Sequence, residues 1–123
     1  MLHLAICDKS LNDTEQMEKY LENIKFFNFD YEVFENAKEL YKYQTQHHEN
    51  FDIYILSIEL EDMLGLEVAR KLREDSQEAL IIFVSNDAKC VFDVFDVFTF
   101  AFLLKPLTYN KFSTTLYLSL IHI

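Results

Sequence analysis

Five polar residues stand directly behind short apolar runs: Asp8 and Lys9 after Leu2–Cys7, Ser57 after Phe51–Leu56, Ser85 after Leu80–Val84, and Lys105 after Phe100–Leu104. Brought together, they would put one carboxylate, two hydroxyls and two ammonium groups in one place. Such a set can bind an anion or close on itself as a salt bridge, the ordinary fate of facing charges. It makes a poor nucleophilic centre, because a serine hydroxyl is un-ionised at neutral pH and no histidine is spaced to serve as its base. The alternative reading is that strand ends in any α/β protein are polar. What weighs against it is the identity and order of these residues.

The elements that would position them alternate in type. Leu2–Cys7 reads as a buried strand. Ser10 then caps a helix whose apolar positions Leu11, Met17, Tyr20, Leu21 and Ile24 recur at helical spacing. Tyr31–Phe34 reads as a short strand, and Asn36 with Glu39 three residues on approximates a capping box. Phe51–Leu56 is a third strand, and Leu66–Arg73 a helix with Leu66, Ala69 and Leu72 inward. Leu80–Val84 and Phe100–Leu104 are strands four and five, with a helix at Ala88–Phe95 between them, and Thr108 caps a last helix that runs to the end. Near-continuous apolar strands separated by helices predict a flavodoxin-like α/β domain. Its parallel sheet has five strands in the order 2-1-3-4-5, with helices on both faces and the functional crevice at the carboxyl ends of the strands.

Composition narrows the function. The 123 residues suit one domain, 1–123, and a net charge of −10 argues against nucleic-acid binding by this domain itself. With Gly65 the only glycine and Pro106 the only proline, no glycine-rich phosphate loop can be built. No apolar run is long enough to cross a bilayer, and the first residues lack a basic leader. Cys7 and Cys90 lie in apolar surroundings without metal-clip spacing, and read as reduced, buried thiols of a cytoplasmic protein. His47 and His48 read as a solvated helix end.

In this order and spacing, five segments carry a resemblance that spans the chain: Ala5-Ile6-Cys7-Asp8, Phe51 through Leu60, Gly65 through Ala69, Ile81 through Ser85, and Phe102-Leu103-Leu104-Lys105-Pro106. The chain resembles a response-regulator receiver domain, and most closely those that precede LytTR-type DNA-binding domains. The resemblance implies a pocket in which two acids after strand one and an aspartate after strand three bind Mg²⁺, and the aspartate accepts a phosphoryl group from a sensor histidine kinase. It further implies phosphate contacts from Ser85 and Lys105, a cis bond before Pro106, and a switch aromatic at Phe102.

Three positions depart from that pattern. Lys9 stands where the second acid belongs, Ser57 where the phosphoacceptor belongs, and Glu61 where a proline is usual. Phosphoryl transfer from phosphohistidine needs a carboxylate nucleophile and a divalent cation, and Mg²⁺ wants hard oxygen ligands. Asp8, Lys9, Ser57 and Lys105 together carry more positive than negative charge unless Lys9 points outward. Glu59, Glu61 and Asp62 lie in the next loop, with nothing in the sequence aiming them inward. The expectation is a dead pocket with no metal, no cofactor and no enzymatic activity.

Hydrophobic residues are in surplus elsewhere. Val91, Phe92, Val94, Phe95, Val97, Phe98, Phe100 and Phe102 exceed what one helix face and one strand can bury, and the last helix is apolar nearly all round. The surplus predicts an exposed apolar face, which the resemblance identifies with a homodimer through helix four, strand five and helix five; Val91, Phe95 and Phe98 are its candidate residues. The leading functional expectation is a phosphorylation-independent receiver that regulates transcription through such a dimer. DNA would be reached only through a separate effector domain, and a sensor histidine kinase is the upstream partner the resemblance implies. The alternative is a docking module whose altered pocket senses an anion or a partner side chain.

Overall fold

The computed structural model describes residues 1–48, 50–75, 78–90 and 97–121. Five strands, β1 (Leu2–Cys7), β2 (Phe29–Phe34), β3 (Ile53–Ser57), β4 (Leu80–Ser85) and β5 (Ala101–Leu104), form one sheet in the order β2-β1-β3-β4-β5. Every neighbouring pair is parallel. Four helices are described: α1 (Leu11–Glu22), α2 (Ala37–His47), α3 (Gly65–Asp75) and α4 (Tyr109–Ile121). The flavodoxin-like architecture is the expected one. None of the described helices is long and apolar enough to cross a membrane.

The central strands are buried on both faces, which is why they read as unbroken apolar runs. Side chains alternate across the pleat. Leu4, Ile6, Ile53, Ile55, Ile82 and Val84 pack on one face with Met17 and Leu21 of α1 and Phe112 and Leu116 of α4. Ala5, Cys7, Tyr54, Leu56, Ile81 and Phe83 pack on the other with Leu40 of α2 and Val68, Ala69 and Leu72 of α3. β2 is an edge strand and only Phe34 in it is buried.

The helix starts follow from their caps. Ser10 Oγ accepts from Asp13 N, Asn36 Oδ1 from Glu39 N, and Thr108 Oγ1 from Lys111 N. Asp62 adds a second cap from outside α2, its carboxylate accepting the Ala37 and Lys38 amides at 3.1 and 2.9 Å. Burial raises the Asp62 pKa, but these backbone bonds outweigh it and hold the group below its ordinary value.

The predicted helix Ala88–Phe95 is described only at its first residues, where Ala88–Cys90 make a single tight turn. Val91 and Phe95 lie outside the described residues. Arg73 holds Val97 and Phe98 in place, donating from Nε to Val97 O and from its terminal nitrogens to Phe98 O and Ala79 O.

Candidate functional site

Four loops at the carboxyl ends of the strands converge. Asp8 is almost fully buried, and Oδ1 accepts from Ser10 N while Oδ2 accepts from Lys105 Nζ at 2.8 Å. Lys105 follows β5 and is locked there by its own amide, which donates to Ser85 O, and the Lys105–Pro106 bond is cis. Its ammonium makes a second 2.8 Å contact, with Asp13 Oδ2 in the first turn of α1. Desolvation lowers the Lys105 pKa, but the hydrogen bonds and charges of Asp13 and Asp8 outweigh it, leaving the ammonium above the ordinary lysine value. Asp13 answers in the opposite direction: burial raises it, yet the bonds from Lys105 and Ser10 bring its carboxyl below the usual range.

Ser57 ends β3, buried, its hydroxyl donating to the Glu59 carbonyl at 3.3 Å. Ser85 ends β4, fully buried, and donates to Glu59 Oε1 at 2.6 Å. Gly65, the first residue of α3, lies over the end of β3, and its amide donates to Ile58 O. A β-carbon at Gly65 would stand 2.1 Å from Ser57 O. That approach requires glycine.

Two residues are brought in that the sequence reading missed. Asp13 had no assigned role; from the first turn of α1 its carboxylate reaches the Lys105 ammonium. Nothing in the sequence aims Glu59 inward; in the structure its carbonyl accepts from Ser57 Oγ and its carboxylate from Ser85 Oγ. The outward-pointing alternative for Lys9 is the one observed, so the excess of positive charge that an inward Lys9 would give is absent. Lys9 is exposed at the rim of a cavity of about 140 Å³ that Asp8, Glu18 and Glu35 also line. Inside, Asp8, Asp13 and Glu59 outnumber the single base Lys105.

Phe102 is half-buried against the cluster containing Phe83 and Val97. Cys7 is buried, and desolvation with the charges of Asp62 and Asp8 pushes its pKa up to about 12, so it is an inert thiol. Cys90 is half-buried rather than buried. His47 stacks on Tyr43 at the exposed end of α2, and His48 caps that helix in the left-handed region.

The surplus of apolar residues reaches the surface in part. Val97 and Leu116 are buried, but Phe98 is 81% exposed, and Leu104, Tyr117, Leu118 and Ile121 are also exposed. Phe98 has φ 56°, unusual for a bulky residue.

Residues 4–117 match the family model of the response regulator receiver domain. Solved structures agree over nearly the whole chain. The response regulatory domain of mrkE from Klebsiella pneumoniae is 14% identical with a TM-score of 0.85, covering 98% of this chain and 96% of that one. The response regulator TrrA from Thermotoga maritima, in complex with Mg²⁺ and BeF, is 22% identical with a TM-score of 0.81, covering 97% and 99%. DrrB, an OmpR/PhoB homologue from the same organism, is 19% identical with a TM-score of 0.77, and the match covers 93% of this chain but 50% of DrrB. Comparison with curated proteins returns no significant match.

Proposed function

This chain belongs to the response regulator receiver domain family, a domain of two-component signalling, and we propose that it signals without accepting a phosphoryl group, as a protein-interaction module. One observation carries the reading: the position for the nucleophile holds Ser57, whose buried hydroxyl is turned to a backbone carbonyl. A hydroxyl so placed has no base to remove its proton and cannot replace a carboxylate in attack on phosphohistidine.

The residues present do not fit Mg²⁺ either. Asp8 is the one acid left at the metal position, and Lys105 occupies one of its oxygens. Lys9 adds a cation at the rim, and the Glu59 carboxylate is engaged by Ser85. No group of three His, Cys, Asp or Glu side chains among the described residues is placed to hold a metal ion. The obstacle is geometry and ion pairing, not an excess of positive charge. The anion-sensing alternative is weakened for the same reason, since the ammonium of Lys105 is already shared between Asp8 and Asp13.

Incubation with acetyl phosphate and Mg²⁺, followed by intact-mass measurement, should add no phosphoryl group to this chain. The double substitution Lys9→Asp with Ser57→Asp should restore uptake, and Ser57→Asp alone should restore it incompletely. Stoichiometric phosphorylation of the parent at Ser57 would refute the reading.

The output proposed is a constitutive homodimer through the segment from Ala88, β5 and α4. It would regulate transcription through a separate effector domain, of LytTR type by resemblance. Exposed Phe98, Leu104 and Leu118 support it. Phe98 combines a solvent-facing ring with a left-handed backbone, two local costs at one residue that an interface would offset. Asp is better tolerated than Phe in that conformation, so Phe98→Asp should disrupt the dimer without destabilising the monomer. Light scattering at micromolar concentration should find a dimer in the parent and a monomer in this variant; a monomeric parent, or a dimer indifferent to Phe98→Asp and Leu104→Asp, would rule the face out.

A further inference from the structure

Ser85 is a junction of three loops. Its carbonyl accepts from Lys105 N at 2.8 Å, its hydroxyl oxygen accepts from Asp87 N at 3.0 Å, and its hydroxyl proton goes to Glu59 Oε1 at 2.6 Å. The chain of bonds continues outward: Asp87 Oδ1 accepts from Lys89 N at 2.9 Å, and Asp87 O accepts from Cys90 N at 3.2 Å. Glu59 is thus tied, through one buried hydroxyl, to the turn that leads out of β4.

That hydroxyl has one proton and two acceptors in reach. Glu59 Oε1 lies at 2.6 Å, whereas Asp87 O lies at 3.5 Å, the outer limit for such a bond. The short bond to a carboxylate wins, because charged acceptors bind hydroxyls more strongly than carbonyls do. Without Glu59 the proton falls to Asp87 O, inside the same turn, and the tie between the two loops is gone.

We propose that Glu59 is a positioning residue that acts through Ser85: it holds residues 85–90 in one arrangement with no covalent modification of the pocket. The inference rests on the reading of the site as one that works without a phosphoryl group, and it names what takes the place of a trigger. The segment so held is the one from which the proposed dimer face begins, which connects the pocket to the output.

Amide hydrogen exchange on the 123-residue chain tests it. Glu59→Ala should speed exchange at Asp87 and Lys89 by about tenfold, the loss of one charge-assisted bond, while Ile55 in β3 keeps its protection. Glu59→Gln should restore most of the parental rates, because its amide oxygen still accepts the hydroxyl proton. Ser85→Ala should speed exchange at least as much as Glu59→Ala, because it also removes the acceptor of the Asp87 amide, and adding Glu59→Ala to Ser85→Ala should have no further effect. Parental rates in Glu59→Ala, no rescue by Glu59→Gln, or multiplying effects in the double variant would each overturn the proposal. If Glu59→Ala loses protection at Ile55 as well, the Gln variant and the Ser85→Ala comparison decide. Phosphoryl uptake by the parent chain would instead overturn the proposed function and leave these exchange results standing, so the two failures are distinguishable.

Discussion

Gly65→Ala should destabilise the domain by about 3 kcal/mol, against the usual sign of a glycine-to-alanine change in a helix. In an exposed helix that substitution ordinarily stabilises by up to about 1 kcal/mol, by reducing the freedom of the unfolded chain. Here the added carbon would sit 2.1 Å from Ser57 O and 2.9 Å from Ile58 Cα, both backbone atoms. No rotamer change relieves a contact with backbone, so β3 and the start of α3 must separate, which places the cost at the upper end of overpacking penalties. The separation would also strain the 2.8 Å bond from Gly65 N to Ile58 O and shift the peptide that carries Ser57. Urea unfolding of Gly65→Ala beside Leu64→Ala separates this from a general effect of the helix start. Leu64 is 55% exposed, and its truncation should cost little. Equal stability of Gly65→Ala and the parent would show that the close approach relaxes freely.

The sheet was readable in the sequence because its central strands are buried on both faces. Leu4–Cys7 and Leu80–Val84 contain no polar residue, so a run of apolar residues marks these strands, with His3 the one polar position at the half-buried start of β1. β2 was read two residues short: an edge strand with Asp30 and Glu32 turned to solvent or half-exposed alternates, and its start at Phe29 carries no turn signal. The identities of Lys9, Ser57, Ser85 and Lys105 stood out by position, since each follows a strand. Asp13 and Glu59 did not. An acid in a first helical turn looks like a partner for the helix dipole, and an acid in a loop has no periodicity to aim it. Both reach the crevice only because parallel crossovers return every loop to the same edge of the sheet. Counting charges by motif position alone therefore left out two acids of the crevice, although the residue that decides its chemistry, Ser57, was plain in the sequence.

Lys105→Met should cost about 3 to 5 kcal/mol, the range for removing one partner of a buried ion pair and leaving the other charge behind. The side chains of Lys105 and Asp8 are 6% and 1% exposed, so water cannot replace the lost ammonium. Asp8 would keep only the Ser10 amide as a donor. Adding Asp8→Asn to Lys105→Met should recover a large part of the loss, because the stranded charge is then gone, and this non-additivity distinguishes an ion pair from mere packing by the lysine stem. The pH dependence follows from the two shifted groups. Asp13 titrates below its unfolded value, so its contribution is present above about pH 4 and is lost as pH falls through the folded value. Lys105 titrates above its unfolded value, so its contribution is complete below about pH 10 and is lost as pH rises through the folded value. Between those limits this cluster should give a plateau. Asp13 is partly exposed, so its share is modest, and Asp13→Asn should flatten the acid limb without abolishing it. Chemical unfolding of the parent, Asp13→Asn, Lys105→Met and the Asp8→Asn double variant across that range checks each arm. A Lys105→Met chain as stable as the parent would mean that Lys105 is not held by Asp8 and is free to meet an anion after all. An acid limb unchanged by Asp13→Asn would mean that Asp13 does not pair with Lys105.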